Sequence, residues 1–189
     1  MSGSVILLNG ASSSGKSTIA HAAQSVLSKP FWHYSIDHLL EARVLPQVRI
    51  DSGEFPWSGL RPSFFEGFHR SIPALAQAGN NLLVEHIIET NEWMDRLLDL
   101  LAEHDVFFVG VHCPLAELEC RELERGNRRI GEARADFAVA HMHCEYDLEL
   151  DGTKPRELLG QELAAAWQGR GAHGALSRMV ARRRAGGAA

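Results

Sequence analysis

The sequence predicts a three-layer α/β fold, a five-stranded parallel sheet flanked by helices. Short β-branched apolar runs alternate along the chain with stretches of helical period. The first of these runs opens straight into a glycine-rich loop and then an amphipathic helix. No second core, internal repeat or linker interrupts the pattern, so residues 1–170 read as one domain and 171–189 as a flexible C-terminal tail rich in Gly, Ala and Arg. Parallel strands joined by helical crossovers place ligands outside the carboxyl ends of the strands, and site residues are expected there.

The elements follow in order. Residues 4–8 (SVILL) suit a buried strand that stops at Asn9-Gly10. From Lys16 the stripe Ile19, Ala22, Ala23, Val26 marks a helix, ended by Pro30. Residues 31–36 (FWHYSI) form the second strand, with Asp37 at its carboxyl end and a helix beginning there. Residues 44–62, with Pro46, Pro56 and Pro62, are too long and irregular for a plain connector and read as a functional loop or partial lid. Helical period returns over 63–78 and stops at Gly79-Asn80; residues 82–84 give a third strand ending at Glu85. Residues 91–101 are helical, 106–111 (VFFVGV) form the clearest buried strand, and Pro114 opens a helix running to about Arg125. After an arginine-rich stretch, 146–150 make the fifth strand and 155–167 the last helix.

Composition narrows the function classes. With 45% hydrophobic and 23% charged residues the 189-residue chain is neither disordered nor a disulfide scaffold. A formal net charge of −5 predicts no broad affinity for nucleic acid, so any phosphate site must be local. The absence of a long apolar run or basic leader predicts no membrane span and a cytoplasmic protein. Cys113, Cys120 and Cys144 form no CxxC pair and read as reduced thiols, and His86, His112, His141 and His143 show none of the usual zinc spacings.

The chemistry is carried by Gly10-Ala11-Ser12-Ser13-Ser14-Gly15-Lys16-Ser17, which fits G-x-x-x-x-G-K-[ST]. Glycines let successive N–H groups converge on phosphate oxygens at a helix N-terminus; Lys16 adds a mobile charge, and the Ser17 hydroxyl suits Mg²⁺. Lysine is scarce in this chain (Lys16, Lys29 and Lys154 alone), which makes one inside this loop more telling. Thr18 completes the segment expected to bind ATP. A phosphate loop by itself does not separate transferases from GTPases and ATPases. No Asn-Lys-x-Asp tetrad is present to read guanine, and what remains is a small kinase with a substrate base and an arginine lid over about 121–137. In that reading Asp37 orients the acceptor hydroxyl and takes its proton, though an Asp here also caps helices, and the two uses are compatible. Arg121, Arg125 and Arg128 share a helical face, either as a solvated basic surface paired with Glu117, Glu122 and Glu124 or as a lid that neutralises the transferring phosphoryl group.

Gly10 to Ser17, the acid of Tyr34-Ser35-Ile36-Asp37, and Arg121-Glu122-x-x-Arg125-Gly126-Asn127-Arg128-x-x-Gly131 followed by Glu145-Tyr146-Asp147 together resemble the chloramphenicol phosphotransferase family, over about residues 4–167. The resemblance implies a small P-loop kinase that moves the γ-phosphoryl group of ATP to a hydroxyl of chloramphenicol, with Asp37 at the position of the base. Two departures stand out. The family's paired acids after the third strand are Glu85-His86 here, which leaves Glu85 to contact the acceptor or a Mg²⁺-bound water. The family's Gly-Asp-Arg is Gly126-Asn127-Arg128.

The expected site therefore comprises Asp37, Lys16, Arg125 and Arg128 for catalysis; Gly10 to Thr18, Arg121, Arg125 and Arg128 for ATP; Ser17 for the metal; and Asp37, Trp57 and Glu85 for a small-molecule alcohol. Trp57, in the irregular loop, is the aromatic expected at the acceptor. A nucleotide or metabolite kinase, with Arg43, Arg49 and Arg61 holding an acceptor phosphate, and a non-catalytic nucleotide-binding module are the competing readings.

Overall fold

The computed structural model describes residues 2–126 and 130–186. Five parallel strands, β1 (Val5–Asn9), β2 (Phe31–Ser35), β3 (Asn81–His86), β4 (Val106–His112) and β5 (Leu148–Asp151), form one sheet in the order β2-β3-β1-β4-β5. The central strand β1 pairs on one side with β3 (Leu7 opposite Val84) and on the other with β4 (Leu7 opposite Phe108). Its five residues are all buried, which explains why it reads as a continuous apolar run.

Alternation along the strands divides the core into two layers. Val5 and Leu7 face α4 (Trp57–Gln77), α5 (Asn91–Leu101) and α9 (Ala175–Gly186), packing with Phe68, Leu97, Phe108 and Leu176. Ile6 and Leu8 face α1 (Lys16–Gln24) and α8 (Arg156–Gln168), packing with Ile19, Leu163 and Trp167. The helices α2 (Ile36–Glu41), α6 (Leu115–Arg125) and α7 (Glu132–Val139) bring Asp37, Arg125 and Asp136 to the loop after β1, and α3 (Gln47–Asp51) follows α2 along the chain. Among the described residues no helix is long and apolar enough to cross a membrane.

Three segments depart from the sequence reading, one of them the stretch after Arg125, which holds the helix α7 (Glu132–Val139) where no helix was expected. Residues 44–62 hold α3 and the start of α4, so Trp57 lies in a helix rather than an irregular loop. Helix α4 runs across Pro62 and Pro73 because Phe65, Phe68, Ile72 and Ala76 bury one stripe against the sheet, which outweighs the lost backbone hydrogen bonds. Much of the expected flexible tail is the helix α9, anchored by Leu176 and Val180 in the core. Its charge-rich composition hid those two anchors: Arg182, Arg183 and Arg184 pair with Glu145, Asp95 and Asp99, and Glu103.

Candidate active site

The loop after β1 is shaped by conformations that only some residues tolerate. A Cβ on Gly10 would lie 2.5 Å from the Val111 carbonyl oxygen, and Gly15 has φ +96°. Ser13 adopts φ 63°, a left-handed conformation in a non-glycine residue, so the loop stores local strain where amides must turn inward. Helix α1 starts at Lys16, whose ammonium donates to the carbonyls of Gly10 (2.8 Å) and Ala11 (2.9 Å). The hydroxyls of Ser13 and Ser14 are buried and have no hydrogen-bond partner among the described residues. Orphaned polar atoms in a nest of amides at a helix N-terminus fit the oxygens of a bound phosphate.

Beside the loop, the ends of β2 and β3 supply acids. Glu85, on β3, is buried and accepts from the Ser17 hydroxyl at 2.9 Å and from His33 on β2. Burial opposes its ionisation, yet the His33 hydrogen bond, the Lys16 charge and the Ser17 hydroxyl together hold its carboxyl below the usual range. Ser17 and Glu85 form a hard-oxygen corner next to the phosphate loop. Among the described residues no group of His, Cys, Asp or Glu could enclose a metal by itself, so a cation here would keep waters and take phosphate oxygens, as Mg²⁺ does.

Asp37 stands across the cleft. Ser35 is the N-cap of α2, accepting from the Asp37 N–H at 3.2 Å, and Asp37 sits in the first turn, where the helix dipole favours a carboxylate. Capping is thus done by Ser35, and Asp37 lines the same cleft as Ser12, Lys16, Ser17, Glu85 and Arg125. Residues of the loop, Asp37 and Glu85 thus line one cleft.

The arginines divide. Arg125, on the last turn of α6, lines the cleft. Arg121 braces the scaffold: its guanidinium donates to Glu117 (2.7 Å) and to the carbonyls of Ser13 (3.4 Å) and Gly152 (3.0 Å), joining the phosphate loop to the turn after β5. Arg128 lies outside the described residues. Trp57 meets Phe64 edge-on in the first turn of α4 and is not among the residues lining the cleft.

Several positions around the site make contacts that the sequence did not signal. Glu122 is only 3% exposed and accepts from the N–H groups of Gly131 and Ala133, both at 2.8 Å, capping α7 from α6. Asp136 of α7 reaches the phosphate loop, accepting from the Ser12 N–H at 3.1 Å, and burial pushes its carboxyl above the ordinary range. Lys154 and Arg156 join Arg121 and Arg125 around a groove of about 430 Å³ that continues from Gly15 and Thr18. His86 turns to the other face of the sheet. Its Nδ1 accepts from the Ile87 N–H and its Nε2 lies 2.7 Å from His69 Nε2, in a layer with Phe65, Phe68 and Trp93. Burial holds both imidazoles neutral, His69 with a pKa of about 4.

The sequence pattern of the family described as Chloramphenicol phosphotransferase-like protein matches residues 3–168. The chain belongs to this family. A fellow protein from Mycobacterium tuberculosis strain H37Rv, named "Putative O-phosphotransferase Rv2636", is 33% identical over 186 residues, covering 88% of this chain and 83% of that one. Two solved structures share the fold of this chloramphenicol phosphotransferase-like chain. The M. tuberculosis APS kinase CysC in complex with AMPPNP and APS superposes with a TM-score of 0.63 at 20% identity, covering 88% of this chain and 98% of that one. Shikimate kinase from Aquifex aeolicus gives 0.56 at 18%, covering 87% and 96%. The family member described here thus has a P-loop kinase fold of the O-phosphotransferase type.

Proposed function

We propose that the protein is an ATP- and Mg²⁺-dependent phosphotransferase that moves the γ-phosphoryl group to a hydroxyl of a small molecule, chloramphenicol or a related antibiotic among the candidates. The observation that carries this is the convergence of the phosphate loop, Asp37, Glu85 and Arg125 on one cleft. The loop amides, Lys16 and the Ser13 and Ser14 hydroxyls hold the phosphates, and the basic groove beyond Thr18 takes the rest of the nucleotide. Mg²⁺, when bound at Ser17 with Glu85 behind it, neutralises charge on the β- and γ-phosphates.

Asp37 accepts the hydrogen bond of the acceptor hydroxyl and aligns its oxygen with the γ-phosphorus. As the new O–P bond forms, the bond to the β–γ bridging oxygen breaks, ADP leaves with that electron pair, and the hydroxyl proton passes to Asp37. Arg125, with Arg128 from the lid, stabilises the charge spread over the equatorial oxygens and excludes water. An acceptor phosphate has less support, because Arg49 is paired with Glu54, Arg61 is paired with Glu89 and stacked over Phe65 and Trp93, and Arg43 is not among the residues lining the cleft.

The test is mass spectrometry on chloramphenicol and a panel of alcohols and nucleotides incubated with the protein, ATP and Mg²⁺. A product heavier by one phosphoryl group is expected from an alcohol, and Asp37→Asn lowers its rate at least about 100-fold while ATP still binds. Acceptor-independent hydrolysis with no phosphorylated product, or full transfer by Asp37→Asn, refutes this reading.

A further inference from the structure

We infer that His33 is a positioning residue for the metal corner: it locks the Glu85 carboxylate so that Ser17 presents its lone pairs, not its proton, to a phosphate-bound divalent cation. This rests on the nucleotide-binding reading above and extends it to a residue that no motif marks.

The argument begins with strand geometry. Ser35 lies opposite Glu85 and His33 opposite Leu83, so alternation puts His33 and Glu85 on the same face of the sheet, toward α1 and Ser17. The His33 side chain is 7% exposed and that of Glu85 6%, and the two are joined by a hydrogen bond from His33 Nε2 to Glu85 Oε1. The ring has little freedom, because His21 and His38 meet it edge-on, with ring centres 4.7 and 4.5 Å away. Its Nδ1 is buried without a partner among the described residues, so its polar contact to the site runs through Nε2 alone.

The chain of donors then has one direction. A carboxylate only accepts, so Nε2 must carry the proton given to Oε1. Oε2 is left for Ser17, whose hydroxyl donates to it at 2.9 Å. A serine hydroxyl has one proton. Once that proton is committed to Glu85, only oxygen lone pairs face the phosphate loop, which is the arrangement a hard cation requires. Without His33 the buried carboxylate loses one of its two anchors and can rotate toward Lys16, freeing the Ser17 proton to point at the cation's position. Outer-shell partners of this kind orient the groups that touch a metal without touching it.

The experiment is calorimetric titration of the full chain with ADP, once with MgCl₂ and once with EDTA. Wild type binds ADP more tightly with Mg²⁺. His33→Leu weakens the Mg²⁺ arm about tenfold and leaves the EDTA arm unchanged within about twofold. His33→Gln, whose side-chain amide can donate across a similar reach, restores the Mg²⁺ arm to within about threefold of wild type. Adding His33→Leu to Glu85→Gln causes no further loss, since both act through one carboxylate. Should His33→Leu fail to fold, His33→Thr, suited to a strand but too short to reach Glu85, takes its place in the same comparison. Equal Mg²⁺ arms in wild type and variant, equal losses in both arms, or additive losses with Glu85→Gln overturn the inference while leaving nucleotide binding intact. A wild type that binds ADP in neither arm overturns the nucleotide reading itself.

Discussion

Glu122→Gln tests how the region over the phosphate loop is held. In the structure one buried carboxylate accepts two backbone N–H bonds from the start of α7, from Gly131 and Ala133. The substitution preserves size and removes the charge. One amide oxygen still serves one N–H, while the NH₂ group turns a donor toward the other. The loss is one charge-assisted bond, about 1.5–3 kcal/mol, plus a desolvated donor at about 1–3 kcal/mol. Relaxation recovers part of this, and we take about 2 kcal/mol as the cost to docking of α7. At about 1.4 kcal/mol per factor of ten, the undocked population rises about thirtyfold. Hydrogen exchange resolved by mass spectrometry reads this directly: peptides covering 130–140 exchange about thirtyfold faster in Glu122→Gln, and those of β1 and β4 do not change. The Ser12 amide, held by Asp136 on the same helix, exchanges faster as well. Unchanged exchange over 130–140 refutes the capping role, and acceleration spread over every strand shows that Glu122 holds the whole core instead.

Two further outcomes follow from burial. Leu176, on the buried face of α9, is 1% exposed, so Leu176→Ala lowers stability in urea by about 2–4 kcal/mol, whereas a frayed C-terminal segment would leave the midpoint where it is. Burial holds His69 and His141 at pKa values of about 4, below their unfolded value of about 6.5. The unfolded chain therefore takes up more protons between these values, and the stability contributed by the neutral rings is complete above about pH 6.5 and is lost as pH falls toward 4. Replacing His69 with Gln flattens this part of a melting-temperature profile; an unaltered slope refutes the assignment.

The order of strands and helices, the phosphate loop and the placing of Asp37 and Glu85 at strand ends were legible because each is written locally. Period two or 3.6, a glycine where φ must be positive and an acid at the end of an apolar run all lie within a few neighbours along the chain. Trp57 and the tail were misread for the converse reason. Prolines argue locally for a loop and arginines for a solvated end, but Phe65, Phe68 and Ile72 hold α4 helical, and Leu176 and Val180 dock α9.

What the sequence determined by itself is the phosphate-loop pattern, since Gly10, Gly15, Lys16 and Ser17 lie within a few neighbours along the chain. Only the tertiary structure decided which partners surround it. Glu122 and Arg121 are indistinguishable in sequence from a solvated charged face, and His33 from any strand histidine. Their roles depend on atoms brought together from distant positions, Ala133 with Glu122, Gly152 with Arg121, and Glu85 with His33. Such contacts arise only when the sheet closes and burial makes each unpaired donor or charge costly.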